Sequence, residues 1–246
     1  MSEPVGLIVG SGASELGLDV EARSGSKTPF GEPSSALLRS RLGDCELLWI
    51  ARHGESGRIA PHLVNYRANV WALHQHGVRR CLAVNAVGII VEGEFVPGGL
   101  AVPDQLIDYT WGREQSFDGP GERVGHIEFT EPFDAELRDR LVAAAAADGT
   151  PVARGVYGVT QGPRLETAAE IERMARDGCT MVGMTAMPEA ALAKAIGLRY
   201  AVLAVGVNRA AGRGGAGIGI HAELERNLGT GMARARRTLV RALAER

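Results

Sequence analysis

The chain has 246 residues, 45% apolar and 23% charged, with 33 glycines and a formal net charge of −2. That length accommodates one large core. The near-neutral balance excludes the basic excess of a nucleic-acid-binding surface, and no apolar run reaches the about 18 residues of a membrane span.

Short apolar runs alternate with helical patterns along the chain, the mark of an α/β fold. Residues 5–9 read as a buried strand ended by Gly10-Ser11-Gly12, and residues 47–51 as a second, ending at Arg52-His53-Gly54. Asn65 is placed to cap a helix that stops at Gly77. Residues 81–84 read as a strand closed by Asn85-Ala86-Val87-Gly88. Residues 91–131 are richer in Gly, Pro and charge, with a short strand at 100–102, but have no linker composition and set no domain boundary. Helices are expected over about 134–147, 167–176 and 188–196, and strands over 156–160, 181–184 and 200–207. A glycine-rich segment, 211–219, leads to a last helix carrying Leu224, Leu228, Met232, Leu239 and Leu243 at helical spacing. Gly229 and Gly231 are expected to weaken its middle by roughly 1 kcal/mol each.

Cys45, Cys81 and Cys179 are scattered, without C-x-x-C or zinc spacing, and the six histidines form no H-E-x-x-H. Neither a disulfide framework nor a metal site is expected. Met1-Ser2-Glu3-Pro4 lacks the basic start of a signal peptide, so a cytoplasmic location is expected, with neither membrane nor nucleic acid as partner.

In α/β sheets ligands bind beyond the carboxyl ends of strands. Ser11, Arg52, His53, Asn85, Thr185 and Asn208 all fall in such places. Gly10-x-Gly12 begins like a dinucleotide fingerprint, but Glu15 stands at the third glycine position and would repel a pyrophosphate. A small nest of backbone N–H groups with the Ser11 hydroxyl suffices for one small anion, or is an ordinary tight turn. Arg52 adds a planar fork suited to phosphate, His53 a further donor, and Thr185 with the Ala86 backbone could complete the cradle.

Ala51-Arg52-His53-Gly54, the run from Val64 to Asn69, Gly162-Pro163-Arg164-Leu165-Glu166-Thr167 and Met184-Thr185-Ala186-Met187-Pro188-Glu189 resemble segments of the trimeric nucleoside phosphorylases. That family includes purine nucleoside phosphorylase and methylthioadenosine phosphorylase, and the resemblance covers nearly the whole chain. It implies one α/β domain over 1–246, a mixed β-sheet flanked by helices, and cleavage of a purine nucleoside by inorganic phosphate. It also implies a homotrimer without metal or organic cofactor. The resemblance assigns Ser11, Arg52, His53, Asn85, Ala86 and Thr185 to phosphate, and Met184 to the ribose. Leu165, Ile220 and Leu224 become substrate contacts, and His126 with Phe129 matches a segment contributed by a neighbouring subunit. Relatives often carry a second histidine four residues beyond the one matching His53, where Gly57 stands here.

Within that frame Glu166 and Asn208 are expected to act on the base. A 6-oxopurine presents an N1–H donor with O6 and N7 acceptors; an ionised Glu166 accepts from N1–H, and the Asn208 amide donates to N7 or O6. Adenine presents a lone pair at N1, so hypoxanthine-type bases are expected to be preferred. Without the resemblance, Glu166 reads as a helix-start carboxylate and Asn208 as a turn residue. Ile218, Ile220 and Leu224 offer an apolar wall for a 5′-methylthio group, while His221 could instead meet a 5′-hydroxyl, according to the register of the helix. The expected reaction is phosphorolysis of S-methyl-5′-thioinosine, with inosine, guanosine or methylthioadenosine as alternative substrates. A phosphate-independent nucleosidase and a non-catalytic purine-binding protein are the readings from other classes.

Overall fold

Leu7 and Val9 of the first strand face one layer of helices and Ile8 faces the other, as the two-residue period of a strand requires. The same alternation recurs in the last strand, with Val202 and Ala204 on one side and Leu203 and Val205 on the other. Strands buried on both faces read as continuous apolar runs, which is why these two were visible in the sequence. The computed structural model describes residues 3–93, 95–119, 125–214 and 219–244.

In chain order, β1 (Val5–Val9), β2 (Ala22–Ser24), β3 (Leu37–Leu42) and β4 (Cys45–Ala51) lead to α1 (Tyr66–Gln75). Next come β5 (Arg80–Ile89), β6 (Leu100–Ala101), β7 (Gln105–Asp108) and α2 (Ala135–Ala147). Then follow β8 (Val152–Ala153), β9 (Val156–Val159), α3 (Ala168–Arg176), β10 (Cys179–Gly183) and α4 (Ala186–Ala195). The chain ends in β11 (Arg199–Arg209) and α5 (Ile220–Ala244). The strands form one mixed sheet in the order β2-β3-β4-β1-β5-β10-β9-β7, with β11 on the other edge of β5 and continuing to β6 and β8. α1 and α4 cover one face through Val70, Leu73 and Leu192; α2 and α5 cover the other through Leu141, Met232 and Leu239. This is the single-domain α/β architecture, a mixed sheet flanked by helices, that the sequence implied.

The helix starts follow local chemistry. Asn65 accepts from the Ala68 N–H, Asp134 from that of Leu137, and Thr167 with Glu170 forms a reciprocal capping box at α3. β2, β3, β7 and β8 were not read from the sequence. β2 is exposed throughout and β3 turns Arg39 and Arg41 to solvent, so neither shows a continuous apolar run. Gly231 has a packing role beside its cost to the helix: a Cβ there would come within 2.3 Å of Val205 Cγ1, so this glycine lets α5 lie close on β11. Gly229, with nothing within 4 Å, has no such role.

The feature that creates a site lies in β5. The sequence placed its end at Val84, yet it runs on to Ile89. Along one edge its first half pairs parallel with β1, up to Val9 opposite Val84. Its end pairs antiparallel with β10, Gly88 opposite Val182. The sheet therefore forks opposite Asn85, Ala86 and Val87, and a cleft opens beyond the carboxyl end of β1. Among the described residues no helix is long and apolar enough to cross a membrane.

Candidate active site

A cavity of about 180 Å³ fills this fork. Its walls bring together Ser11, Arg52, His53, Ala86, Leu165, Glu166, Met184, Thr185, Asn208, Ile220 and Leu224, contributed by parts of the chain far apart in sequence. Of the residues expected or considered at the site, Asn85, His126, Phe129 and His221 stand outside the lining, and Ile218 lies outside the described residues.

The anion end is built on Arg52, which follows β4 and is 1% exposed. Its Nε lies 2.5 Å from Glu189 Oε1, and its Nη2 lies 3.0 Å from Glu189 Oε2 and 2.8 Å from Asn85 Oδ1. Nη1 is left on the cavity side, beside Gly10, where a Cβ would come within 2.5 Å of it. Gly10 is therefore required for the close approach of the guanidinium to the β1 turn. Burial works against the charge, but the facing Glu189 carboxylate more than offsets it, so Arg52 is held protonated more firmly than an ordinary arginine. Glu189 also accepts from the buried Tyr200 hydroxyl at 2.8 Å.

Asn85 corrects an expectation. Its Oδ1 accepts from Arg52 Nη2 and its Nδ2 donates to the Tyr157 hydroxyl at 3.3 Å, so it orients the arginine instead of facing the anion. Burial pushes the Tyr157 phenol up to about 12, keeping that partner neutral. His53 is corrected in its chemistry. Nδ1 lies 2.7 Å from the Ile59 carbonyl oxygen, which can only accept, so Nδ1 carries the proton. Burial and the neighbouring Arg52 lower the histidine's pKa. In the neutral ring Nε2, on the Gly10 side, is an acceptor; it donates only when the ring is doubly protonated.

Thr185 occupies the N-cap position of α4 without using its side chain as a cap. Its hydroxyl borders the cradle and can donate to an anion there; α4 is kinked directly after this turn, at Met187, whose backbone is extended. Met184 beside it is fixed from behind by Arg113, whose Nη1 donates to the carbonyl oxygens of Met184 and Met187 at 2.7 and 2.6 Å. Nη2 of the same arginine donates to the Gln161 carbonyl at 2.8 Å. Sequence reasoning missed Arg113, because nothing in its surroundings signals a clasp on four backbone carbonyls, that of Thr160 at 3.4 Å included; only the fold places them together.

At the far end, Glu166 precedes α3 and faces the cavity. The helix-start role belongs to Glu170, which closes the capping box and pairs with Arg164; that arginine holds its carboxyl at about 2. Glu166 is thereby left for another purpose. Asn208 is 7% exposed and sits where the register of β11 against β5 shifts, with its Nδ2 donating to the Arg209 carbonyl at 2.7 Å. The first turn of α5 is tied to that strand end by Glu223, which accepts from the Arg209 backbone N–H at 2.7 Å. This sets the helical register: Ile220 and Leu224 line the cavity, and His221 is exposed. His126 is also exposed, whereas Phe129 packs partly buried against the chain's own core. No cluster of three or more His, Cys, Asp or Glu arranged to hold a metal ion occurs among the described residues.

A buried arginine lies on one side of a forked-sheet cavity with a carboxylate and an amide on the other, the kind of enzyme site that can hold an anion beside a polar ligand. The chain belongs to the phosphorylase superfamily, whose family profile matches residues 4–244. A probable S-methyl-5′-thioinosine phosphorylase of Pseudomonas syringae pv. tomato is 48% identical over 241 residues, 97% of each chain. The 6-oxopurine nucleoside phosphorylase of Pyrococcus furiosus is 41% identical over 218 residues, covering 86% of this chain and 81% of that protein. Among solved structures, methylthioadenosine phosphorylase from Schistosoma mansoni in complex with adenine superposes with a TM-score of 0.90 at 32% identity, covering 99% of this chain and 91% of that one.

Proposed function

We propose that this enzyme is a pentosyltransferase that phosphorolyses S-methyl-5′-thioinosine to hypoxanthine and 5-methylthioribose 1-phosphate. The observation that carries the reading is the composition of one cavity: an anion cradle at Arg52, Glu166 with Asn208 at the far end, and an Ile220–Leu224 wall from which His221 is turned away. The relatives at 48% and 41% identity support a 6-oxopurine nucleoside as substrate. Glu166 supplies the acceptor for N1–H, and an apolar wall suits a methylthio group better than a hydroxyl.

In the reaction, a phosphate oxygen forms a bond to C1′ as the bond from C1′ to the purine nitrogen breaks through an oxocarbenium-like state. Ser11, Arg52 Nη1, the Ala86 backbone and Thr185 position the phosphate beneath the developing cation. His53, neutral, accepts from a protonated phosphate oxygen. Asn208 and Glu166 stabilise the purine as it takes the bonding electrons. Inorganic phosphate is then the co-substrate, with no metal or organic cofactor. The reading includes a homotrimer in which the exposed His126 reaches a neighbour's site. It also includes a cytoplasmic location, in keeping with the free thiols of Cys45, Cys81 and Cys179.

The test is base release from methylthioinosine, methylthioadenosine and inosine in parallel, with and without phosphate. Expected are a kcat/KM for methylthioinosine at least about tenfold above the other two and no turnover without phosphate. Faster turnover of inosine identifies a general 6-oxopurine enzyme, faster turnover of methylthioadenosine refutes the base assignment, and phosphate-independent release refutes the cradle.

A further inference from the structure

Glu166 forms a partition between two cavities. On one side is the nucleoside cavity; on the other is an outer cleft of about 520 Å³, lined also by Tyr109, Trp111, Thr160 and Arg173. Thr160 borders the outer cleft and is absent from the lining of the nucleoside cavity. Its Oγ1 lies 2.6 Å from Glu166 Oε1. The threonine is itself fixed by the sheet, since its backbone N–H donates to the Gly183 carbonyl at 2.9 Å, directly after β9 and beside β10.

We propose that Thr160 is a positioning residue that sets base selectivity by holding Glu166 as a hydrogen-bond acceptor toward the purine. This rests on the base assignment proposed above. A hydroxyl has one proton to donate. The Gly183 carbonyl is the competing acceptor, but at 3.5 Å it is much the poorer one, so the proton goes to Glu166 Oε1. That bond occupies Oε1 and leaves Oε2 to meet the base. A glutamate without this tether has three rotatable side-chain bonds, an open cleft behind it and water as a rival partner. It would have to be ordered by each incoming nucleoside, at a cost in side-chain entropy. Thr160 removes that cost only for a base that donates at N1. Adenine, which presents a lone pair there, gains nothing from a carboxylate held in this pose.

The experiment compares Thr160→Val, nearly the same shape without the hydroxyl, with Thr160→Ser, which keeps it, using methylthioinosine and methylthioadenosine. In Thr160→Val the kcat/KM for methylthioinosine should fall by about tenfold, the scale of a hydrogen bond to a charged group. That for methylthioadenosine should stay within about twofold, and Thr160→Ser should recover most of the loss. A merely structural role would lower both nucleosides together and lower the melting temperature in step, and that outcome overturns the proposal. So does a Thr160→Val enzyme with the selectivity of the parent. If the parent itself shows no preference for methylthioinosine, the base assignment fails first and this inference falls with it, before any variant is made.

Discussion

Arg52 and Glu189, 137 residues apart in the chain, form a bidentate ion pair in which the arginine is 1% and the glutamate 0% exposed. Isolated, either charge would be untenable there. Together they fix the cradle's arginine to α4, the helix that follows the cavity-lining Thr185. Removing one partner leaves the other buried and uncompensated. Arg52→Ala should therefore lose about 3–5 kcal/mol of stability in addition to raising the KM for phosphate strongly, with a smaller effect on the nucleoside. Replacing both, as Arg52→Met with Glu189→Leu, should recover much of the stability, read by denaturant unfolding, while phosphate binding stays lost. A double variant with parental phosphate KM would show that the anion binds elsewhere.

His53 supplies a pH dependence whose sign follows from its surroundings. Burial, and then the Arg52 charge, lower its pKa below the ordinary histidine value; the Ile59 carbonyl and Glu189 act in the opposite sense but are outweighed. As the pH falls below about 6.5 the unfolded chain takes up this proton before the folded one does. The stability contribution is thus complete above that value and is lost as the pH falls through the lowered folded pKa. His74, also lowered by burial, contributes with the same sign. Unfolding free energies of His53→Gln should depend less steeply on pH below 6.5 than those of the parent. Identical slopes would place the ring's titration elsewhere.

Much of this was legible because the relevant strands are buried on both faces and the helices carry their own caps. The apolar runs ending at Gly10 and Arg52 marked two walls of the cavity, and the caps at Asn65, Asp134 and Thr167 fixed three helices. What escaped depends on pairing between distant segments. The continuation of β5 past Val84 is carried by β11, which pairs with residues 85–89, and at Gly88 and Ile89 by β10 on the other edge, not by residues 85–89 themselves. The roles of Asn85, Arg113 and Thr160 are likewise set by what faces them: an arginine, four carbonyls and a carboxylate. Glu166 shows the same limit from the other side. A glutamate just before a helix has a sufficient local explanation until the capping box is seen to use Glu170 instead.

Asn208→Asp probes the base end by changing one atom. The Asn208 amide donates to the Arg209 carbonyl oxygen at 2.7 Å in a nearly buried setting. A carboxylate in that place would face an acceptor with nothing to donate, so an aspartate is expected to be carried protonated at neutral pH. Its single proton cannot satisfy both the carbonyl and a 6-oxopurine as two amide protons can. The ratio of kcat/KM for methylthioinosine to that for methylthioadenosine should fall by at least about tenfold. An unchanged ratio would mean that another group reads the base edge.

The 5′ end of the substrate is decided by one residue of helical register. Ile220 and Leu224 are four apart and so share a face of α5, while His221 is turned about 100° away and is exposed. Glu223 holds this register by accepting from the Arg209 backbone, so the helix is not free to rotate the histidine inward without breaking that bond. Leu224→Ala should lower kcat/KM for methylthioinosine by about tenfold, in line with the 1–3 kcal/mol carried by a small apolar group in a fitted pocket, and should affect inosine much less. Because Leu224 also packs on the core, Leu224→Met serves as the volume-conserving control and should remain near parental activity. His221→Ala should leave both nucleosides within about twofold, as expected for an exposed side chain. A selective loss of inosine turnover in His221→Ala would instead place the imidazole against the 5′-hydroxyl, with α5 turned from the register seen here.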